Sequence, residues 1–276
     1  LLKNKTIGFI GAGSMAEAIL KGLLSKNMVN PENVFLINRK DQSRLSEISQ
    51  KYGLILGRQK AEYIAGADII ILAVKPKDVT EVLQRWGNRL QDGQIFISVV
   101  AGISTELLEN YIQNRVSVVR VMPNTSCAVG LSATAISGGK RATNRAIDVT
   151  CEIFSSIGSV VLVNESMMDT VTGLSGSGPA YIYYMVEALE SAGVSAGLHP
   201  QTARLLTVQT LLGAAQMLLK TGKDASELRK EVTSPGGTTM AGLKALKEYQ
   251  VAEAMKVAVF KAKERANELG KQLASL

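Results

Sequence analysis

Histidine and cysteine are nearly missing from this chain: His199 stands alone, and Cys127 and Cys151 are the only cysteines in 276 residues. A zinc site or a disulfide framework needs such residues paired at short spacing. Neither cysteine has a histidine nearby, so no metal site is expected. The same scarcity argues against metal-assisted hydrolysis and serine-type catalysis, because those chemistries place an imidazole or a metal beside the nucleophile. His199 precedes Pro200 at an expected helix start and reads as a boundary residue. No apolar run reaches the roughly 18 residues of a membrane span. Leu1–Ile10 enters a strand pattern directly, without the basic, apolar and small-residue order of a signal peptide. A reducing, cytoplasmic location and no membrane partner are therefore expected. Aromatics are only 5% of the chain. The formal charge is +7, but Lys and Arg are interspersed with acids, whereas nucleic-acid binding needs a clustered basic stripe. The densest basic stretch, Lys256–Lys271, alternates with Glu264 and Glu268 at helical spacing, as a solvated helix face does. No nucleic-acid partner is expected, and the surplus charge instead suits small anionic ligands attracted over long range.

With 46% hydrophobic and 20% charged residues, the chain has a globular composition and the length for one large domain or two ordinary ones. Strand patterns occur at Thr6–Ile10, Asn33–Asn38, Asp68–Val74, Gln94–Val99, Val116–Met122, Ala128–Ile136 and Ser159–Val163. Between the early ones lie amphipathic helix patterns such as Met15–Ser25, Asp41–Tyr52 and Asp78–Arg89. This alternation predicts an α/β domain over residues 1–165, a mostly parallel, doubly wound Rossmann sheet. Beyond residue 166 long helical patterns take over: Met167–Gly193, Pro200–Thr221, Ala225–Thr233, Thr238–Tyr249 and Val251–Ser275. They predict an all-α domain over residues 166–276. Tyr181–Leu198 and Leu205–Leu219 are apolar around much of the helix circumference and cannot face water. A homodimer through these helices is the expected remedy.

The first strand runs straight into Gly11-Ala12-Gly13-Ser14-Met15-Ala16, the G-x-G-x-x-A form of the dinucleotide fingerprint. Gly11 permits the tight turn, Gly13 lets the backbone approach a pyrophosphate, and Ala16 lets helix and strand pack closely. Ser14 and Met15 open the helix, whose free N–H groups and dipole favour phosphate. At the end of the second strand an acid would accept from the ribose of NAD and repel a 2′-phosphate. Here the chain reads Asn38-Arg39-Lys40, and Arg39 can fork onto a phosphate. Asp41 sits where a helix N-cap is expected. The reading favours NADPH, with NADH as the other possible cofactor; the competing account makes Arg39 and Lys40 loop charges. Ala73-Val74-Lys75-Pro76 ends the central strand at the edge where ligands sit in such sheets. Lys75 there is either a counter-charge for the cofactor or an ordinary exposed lysine.

Two further glycine-rich segments lie in the helical half. Ser175, Gly176, Ser177 and Gly178 fall in Leu174–Ala180; Ser234, Gly236, Gly237, Thr238 and Thr239 fall in Thr233–Thr239, ahead of a helix. N–H groups and hydroxyls at a helix start form an anion site fit for a substrate carboxylate. Alternatively Ser234 and the threonines merely cap the helix. Two such segments beside a nucleotide loop favour the functional account. With no acid–base pair in view, the chemistry that needs least from the protein is hydride delivery to an already protonated C=N bond.

The set GAGSMA (11–16), AVKP (73–76), VRVMPNTS (119–126), LSGSGPAY (174–181) and VTSPGGTT (232–239) resembles the pyrroline-5-carboxylate reductase family from Ile7 to the last helix. The resemblance implies reduction of a cyclic imino acid to proline by NAD(P)H, a helical dimerisation domain, and in some members the assembly of dimers into a decamer. It implies that the Ser234–Thr239 loop holds the substrate carboxylate, with the Thr239 hydroxyl approaching the ring nitrogen. It places Ser175–Gly178 along the nicotinamide and substrate cleft, Asn124 and Thr125 in a cofactor-side loop, and Gln59 against the adenosine. Ser126 departs from the proline often found there. Two alternatives compete. A β-hydroxyacid dehydrogenase would carry a catalytic lysine on the helix after Gly178, yet the chain has none until Lys220. A non-catalytic NADPH-binding protein would have a broken substrate loop, yet Ser234–Thr239 is whole.

Overall fold

The computed structural model describes residues 2–38, 41–54 and 60–274. Arg39 and Gln59, both expected at the cofactor, lie outside the described residues. Strands and helices alternate as β1 (Ile7–Ile10), α1 (Ser14–Ser25), β2 (Val34–Ile37), α2 (Gln42–Tyr52), α3 (Lys60–Gly66), β3 (Ile69–Leu72) and α4 (Val79–Trp86). There follow β4 (Ile95–Ser98), α5 (Thr105–Tyr111), β5 (Ser117–Met122), β6 (Ser132–Gly138), α6 (Asn144–Ser155) and β7 (Gly158–Leu162). The strands form one sheet in the order β2-β1-β3-β4-β5-β6-β7. The first five are parallel, β6 returns antiparallel to β5, and β7 is parallel to β6.

Side-chain alternation sets the register. Ile7, Phe9, Ile69, Ile71, Val119 and Val121 enter the core on one face. Ile10, Ile70, Leu72, Phe96 and Val118 enter the other. Both faces being covered, the strands read as nearly continuous apolar runs. A one-residue slip would exchange the two sets against helices shaped for the other, so the pairing is strongly specified. Ile19 and Leu23 of α1 and Phe154 of α6 close one face; Leu83 and Trp86 of α4 and Leu108 of α5 close the other.

All seven expected strands are present, with one displaced. The sixth begins at Ser132 rather than Ala128, because Thr125–Val129 winds into a 3-10 turn. The Asn124 side chain caps that turn by accepting from the Ser126 N–H. The helical pattern over 167–193 is broken at its glycine-rich segment: α7 (Met168–Val171) widens into a π turn over Thr172–Gly176 before α8 (Gly178–Ser195). Ser177 N–H reaches back five residues to the Thr172 carbonyl, at 2.9 Å. Single π turns inside helices often accompany functional sites. The remaining helices are α9 (Pro200–Thr221), α10 (Ala225–Glu231), α11 (Thr238–Glu248) and α12 (Val251–Ala274).

The chain divides into two compact units, Leu1–Ser177 with Phe260–Leu276, and Gly178–Val259. Within the first, the end of α12 packs on the loop after β4. A Cβ at Gly270 would stand 2.4 Å from the Gly102 carbonyl oxygen. Within the second, α8 and α9 pair closely where Gly193 meets Ala203. Of the residues of α9 only Ala203 is buried, while Leu205 is 68% and Leu219 78% exposed.

Candidate cofactor and substrate sites

The chain leaves β1 for β2 on one side and later crosses to β3 on the other, so the switch in strand order falls between β1 and β3. Open α/β sheets bind ligands in that crevice, outside the carboxyl ends of the strands. Gly11 occupies it. Its N–H donates to the Ile37 carbonyl at 2.8 Å, and its φ of +109° is one that other residues rarely adopt. A Cβ there would lie 2.2 Å from the Ala73 carbonyl oxygen. The sharp turn brings Gly13 to the N-cap of α1, where no side chain caps the helix. A Cβ at Gly13 meets nothing within 4 Å; this is the open cradle that a pyrophosphate backed by helix N–H groups requires. Ser14 is exposed and Ala16 fully buried against the sheet.

Beside the loop lies a pocket of 330 Å³, lined by Gly11, Asn38 and Val74 at the strand ends and by Val82, Arg85 and Trp86 of α4. The α4 wall was not foreseen; its signal was the placement of the helix immediately after Pro76. Pro76 opens the 3-10 turn Pro76–Asp78, with Lys75 before it. Lys75 is exposed at the ligand edge, and among the described residues its ammonium has no partner. Asp41 caps α2, accepting from the Arg44 N–H at 2.8 Å. Hydrogen bonds from Ser43 and then from the Arg44 backbone hold its carboxyl below the usual range. The acid nearest the end of β2 is thus committed to its helix. Glu17 of α1 ties the cradle helix to α2 through Lys51 at 2.9 Å, Tyr52 at 3.0 Å and Arg44. The Lys51 hydrogen bond, then the Tyr52 hydrogen bond and the charge of Arg44, lower its pKa against the opposing effect of burial.

Asn124 and Ser175 are brought together. The Asn124 amide donates to the Ser175 carbonyl at 3.1 Å, and the Ser175 hydroxyl donates to the Val171 carbonyl at 3.2 Å. Gly176 abuts Met122, whose Cε would stand 2.6 Å from a Cβ there. A support invisible in the sequence lies beneath. Arg120 of β5, only 4% exposed, grips Glu165 at 2.8 Å and Asp169 at 3.2 Å. Asp169 in turn accepts from Asn267 of α12 at 3.3 Å. This network anchors the segment that leads into the π turn.

In the helical unit, Ser234-Pro235-Gly236-Gly237 makes a turn closed by the Gly237 N–H donating to the Ser234 carbonyl at 3.1 Å. Proline followed by glycine at φ +71° matches a type II turn. Gly237 is then the N-cap of α11, and no side chain caps it. The alternative in which Ser234 or the threonines merely cap this helix is not met, since no side chain caps it. Ser234 Oγ instead flanks the helix start, 2.5 Å from where a Gly237 Cβ would stand. Thr238 and Thr239 form the exposed first turn, and Gly178 begins α8. His199 is the N-cap of α9 with no side-chain bond, a boundary residue.

Residues 165–269 match the family described as pyrroline-5-carboxylate reductase dimerisation, and residues 6–102 match that described as NADP oxidoreductase, coenzyme F420-dependent. The chain is 43% identical over 270 residues to pyrroline-5-carboxylate reductase 2 of Bacillus subtilis, covering 98% of this chain and 97% of that one. The Methanosarcina acetivorans pyrroline-5-carboxylate reductase is 40% identical, with 98% and 100% covered. The chain belongs to the pyrroline-5-carboxylate reductase family. Members are oxidoreductases that reduce pyrroline-5-carboxylate to proline with NAD(P)H. A solved pyrroline-5-carboxylate reductase from Coxiella burnetii superposes with a TM-score of 0.88 at 34% identity, covering 97% and 99%. One from Plasmodium falciparum, with NADP bound, gives 0.85 at 30% identity, covering 98% and 100%. The β-hydroxyacid dehydrogenase alternative is not favoured. The dimerisation-family match and the apolar exposure of α8 and α9 mark the helical unit as one that associates with further copies.

Proposed function

We propose that this reductase converts L-1-pyrroline-5-carboxylate to L-proline with NADPH as its preferred reductant. The carrying observation is that α1 and α11 each start on a glycine N-cap, Gly13 and Gly237, with no side-chain cap. Each serves an anion. Gly11, Gly13, Ser14 and Met15 hold the pyrophosphate, while Asn38, Arg39, Gln59 and the Ala73–Pro76 edge surround the rest of the cofactor. Lys75 adds a counter-charge, and Asn124 fixes the loop on the nicotinamide side. The commitment of Asp41 to its helix favours NADPH, since no acid is then left at β2 to accept from the ribose. NADH remains usable.

Bound there, the reduced nicotinamide supplies a hydride to the imine carbon. The N–H groups of the α11 first turn, at Thr238 and Thr239, grip the substrate carboxylate, with Gly236 and Gly237 keeping the approach free of side chains. Thr239 Oγ1 accepts from the protonated ring nitrogen and holds that proton in place through the reaction. The Ser234 hydroxyl flanks the helix start as a second donor. The family resemblance assigns Ser175, Gly176, Ser177 and Gly178 to the substrate as well. The pyrrolinium is already electrophilic, so positioning supplies much of the acceleration.

We also propose the division at residues 165 and 166 into a cofactor-binding and a substrate-binding, dimerising domain. The dimer forms through α8 and α9, with a decamer as the higher assembly implied by the resemblance. The free cysteines Cys127 and Cys151 suit a cytoplasmic setting. Among the described residues, no helix is long and apolar enough to cross a membrane. The test is chromatographic: one proline per NADPH consumed supports the reading. NADPH binding without proline would replace it with the non-catalytic alternative.

A further inference from the structure

We infer a second ligand site, at the amino edge of the sheet, that takes an organic phosphate monoester with an apolar or aromatic body. A cavity of 580 Å³ lies there. Its lining includes Lys5, which precedes β1, Gly93, which precedes β4, and Arg115, which precedes β5. The cofactor loop, by contrast, follows β1. With strands rising about 3.3 Å per residue, Lys5 and Gly11 stand roughly 20 Å apart along the sheet. The two sites cannot share one ligand.

The chemistry of the lining selects the ligand. Ile69, Ile95 and Val149 provide an apolar floor. Four cations, Lys5, Arg115, Arg141 and Arg145, line the same cavity against one acid, Asp68. Two of the four are already committed. Lys5 pairs with Asp68, and Arg141 donates to the carbonyls of Glu109, Ile112 and Asn114 at 2.7 to 2.9 Å. Arg115 and Arg145 are exposed, and among the described residues neither guanidinium has a hydrogen-bond or ion-pair partner. Unpaired guanidiniums at the mouth of a cavity with an apolar floor match a ligand with a dianionic head and an apolar body. The nearby start of α6 takes no part, because Thr143 already caps it.

The experiment is calorimetric titration of the full-length protein with phenyl phosphate, with and without saturating NADPH. One site per chain is expected under both conditions. Inorganic phosphate, which leaves the apolar floor uncovered, should bind more weakly, and benzyl alcohol not at all. Arg115→Gln combined with Arg145→Gln should weaken phenyl phosphate at least about tenfold, the loss expected when charge-assisted hydrogen bonds are removed. NADPH affinity and turnover should stay unchanged. If that variant folds poorly, Arg145→Glu alone, at an exposed position of α6, should produce the same loss. Three results each overturn the site: no binding, binding abolished by NADPH, or an affinity indifferent to both variants.

Discussion

Replacing Gly13 with alanine separates the binding of the cofactor from the stability of the fold. Gly13 sits at φ −76° and ψ 179°, a conformation alanine adopts freely. Its new methyl would meet no protein atom within 4 Å. The stability cost is then the modest preference for glycine over alanine at an N-cap, under about 1 kcal/mol. The methyl does occupy the cradle before α1. A phosphate pushed back from those N–H groups loses charge-assisted hydrogen bonds worth about 1.5–3 kcal/mol. At about 1.4 kcal/mol per decade, the NADPH dissociation constant should rise roughly 10- to 150-fold. Gly11→Ala behaves differently: its methyl would sit 2.2 Å from the Ala73 carbonyl oxygen, at φ +109°. The backbone conformation alone costs about 1–3 kcal/mol, and β3, central in the sheet, cannot retreat. Fluorescence titration with NADPH and a melting curve on both variants decide the matter. Gly13→Ala should lose affinity while melting close to the parent; Gly11→Ala should melt several degrees lower. An unchanged NADPH affinity in Gly13→Ala would refute the pyrophosphate assignment.

Four further outcomes are expected. Thr239→Ala should lower kcat at least about tenfold, since general acid–base and hydrogen-bond contributions are of that order or larger, with NADPH affinity nearly unchanged; steady-state kinetics and direct titration check both. Arg39→Ala should raise KM for NADPH more than for NADH, and equal losses would remove the 2′-phosphate assignment. Leu205→Glu, at a position 68% exposed in the single chain, should reduce the oligomer to monomers in light scattering; an unchanged mass would place the interface elsewhere. Glu17→Gln tests the link between α1 and α2. Because the Glu17 pKa is lowered by folding, its contribution is complete above the ordinary carboxylate range and fades as pH falls through the lowered value. The variant should lose about 1–2 kcal/mol at neutral pH and show a flatter acid limb in melting temperature against pH. Parallel acid limbs would sink this one.

What could be read in the sequence was whatever repeats or is local. Strands such as Ile69-Ile70-Ile71-Leu72, buried on both faces, announce themselves by composition, and so do the Gly11 turn and the Asp41 cap. The start of β6 was misplaced because a side chain decided it. Asn124 caps a 3-10 turn through residues whose apolar content resembles a strand. The π turn was hidden in the same way, since Thr172–Gly176 keeps a helical pattern and differs only in which carbonyl Ser177 finds. Contacts between distant segments left no local trace. Arg120 and its partners Glu165 and Asp169 are 45 and 49 residues apart, and the α4 wall of the pocket beside Gly11 emerges only once the sheet is assembled. The Ser234–Gly237 turn was legible as chemistry, but not the fact that its helix would be left uncapped.

The transfer itself can be followed by isotope. NADPH dideuterated at nicotinamide C4 is given with pyrroline-5-carboxylate, and the proline formed is examined by mass and NMR. One deuterium on proline C5, the former imine carbon, is the predicted result. Proline free of deuterium, or label at any other carbon, would contradict direct hydride delivery.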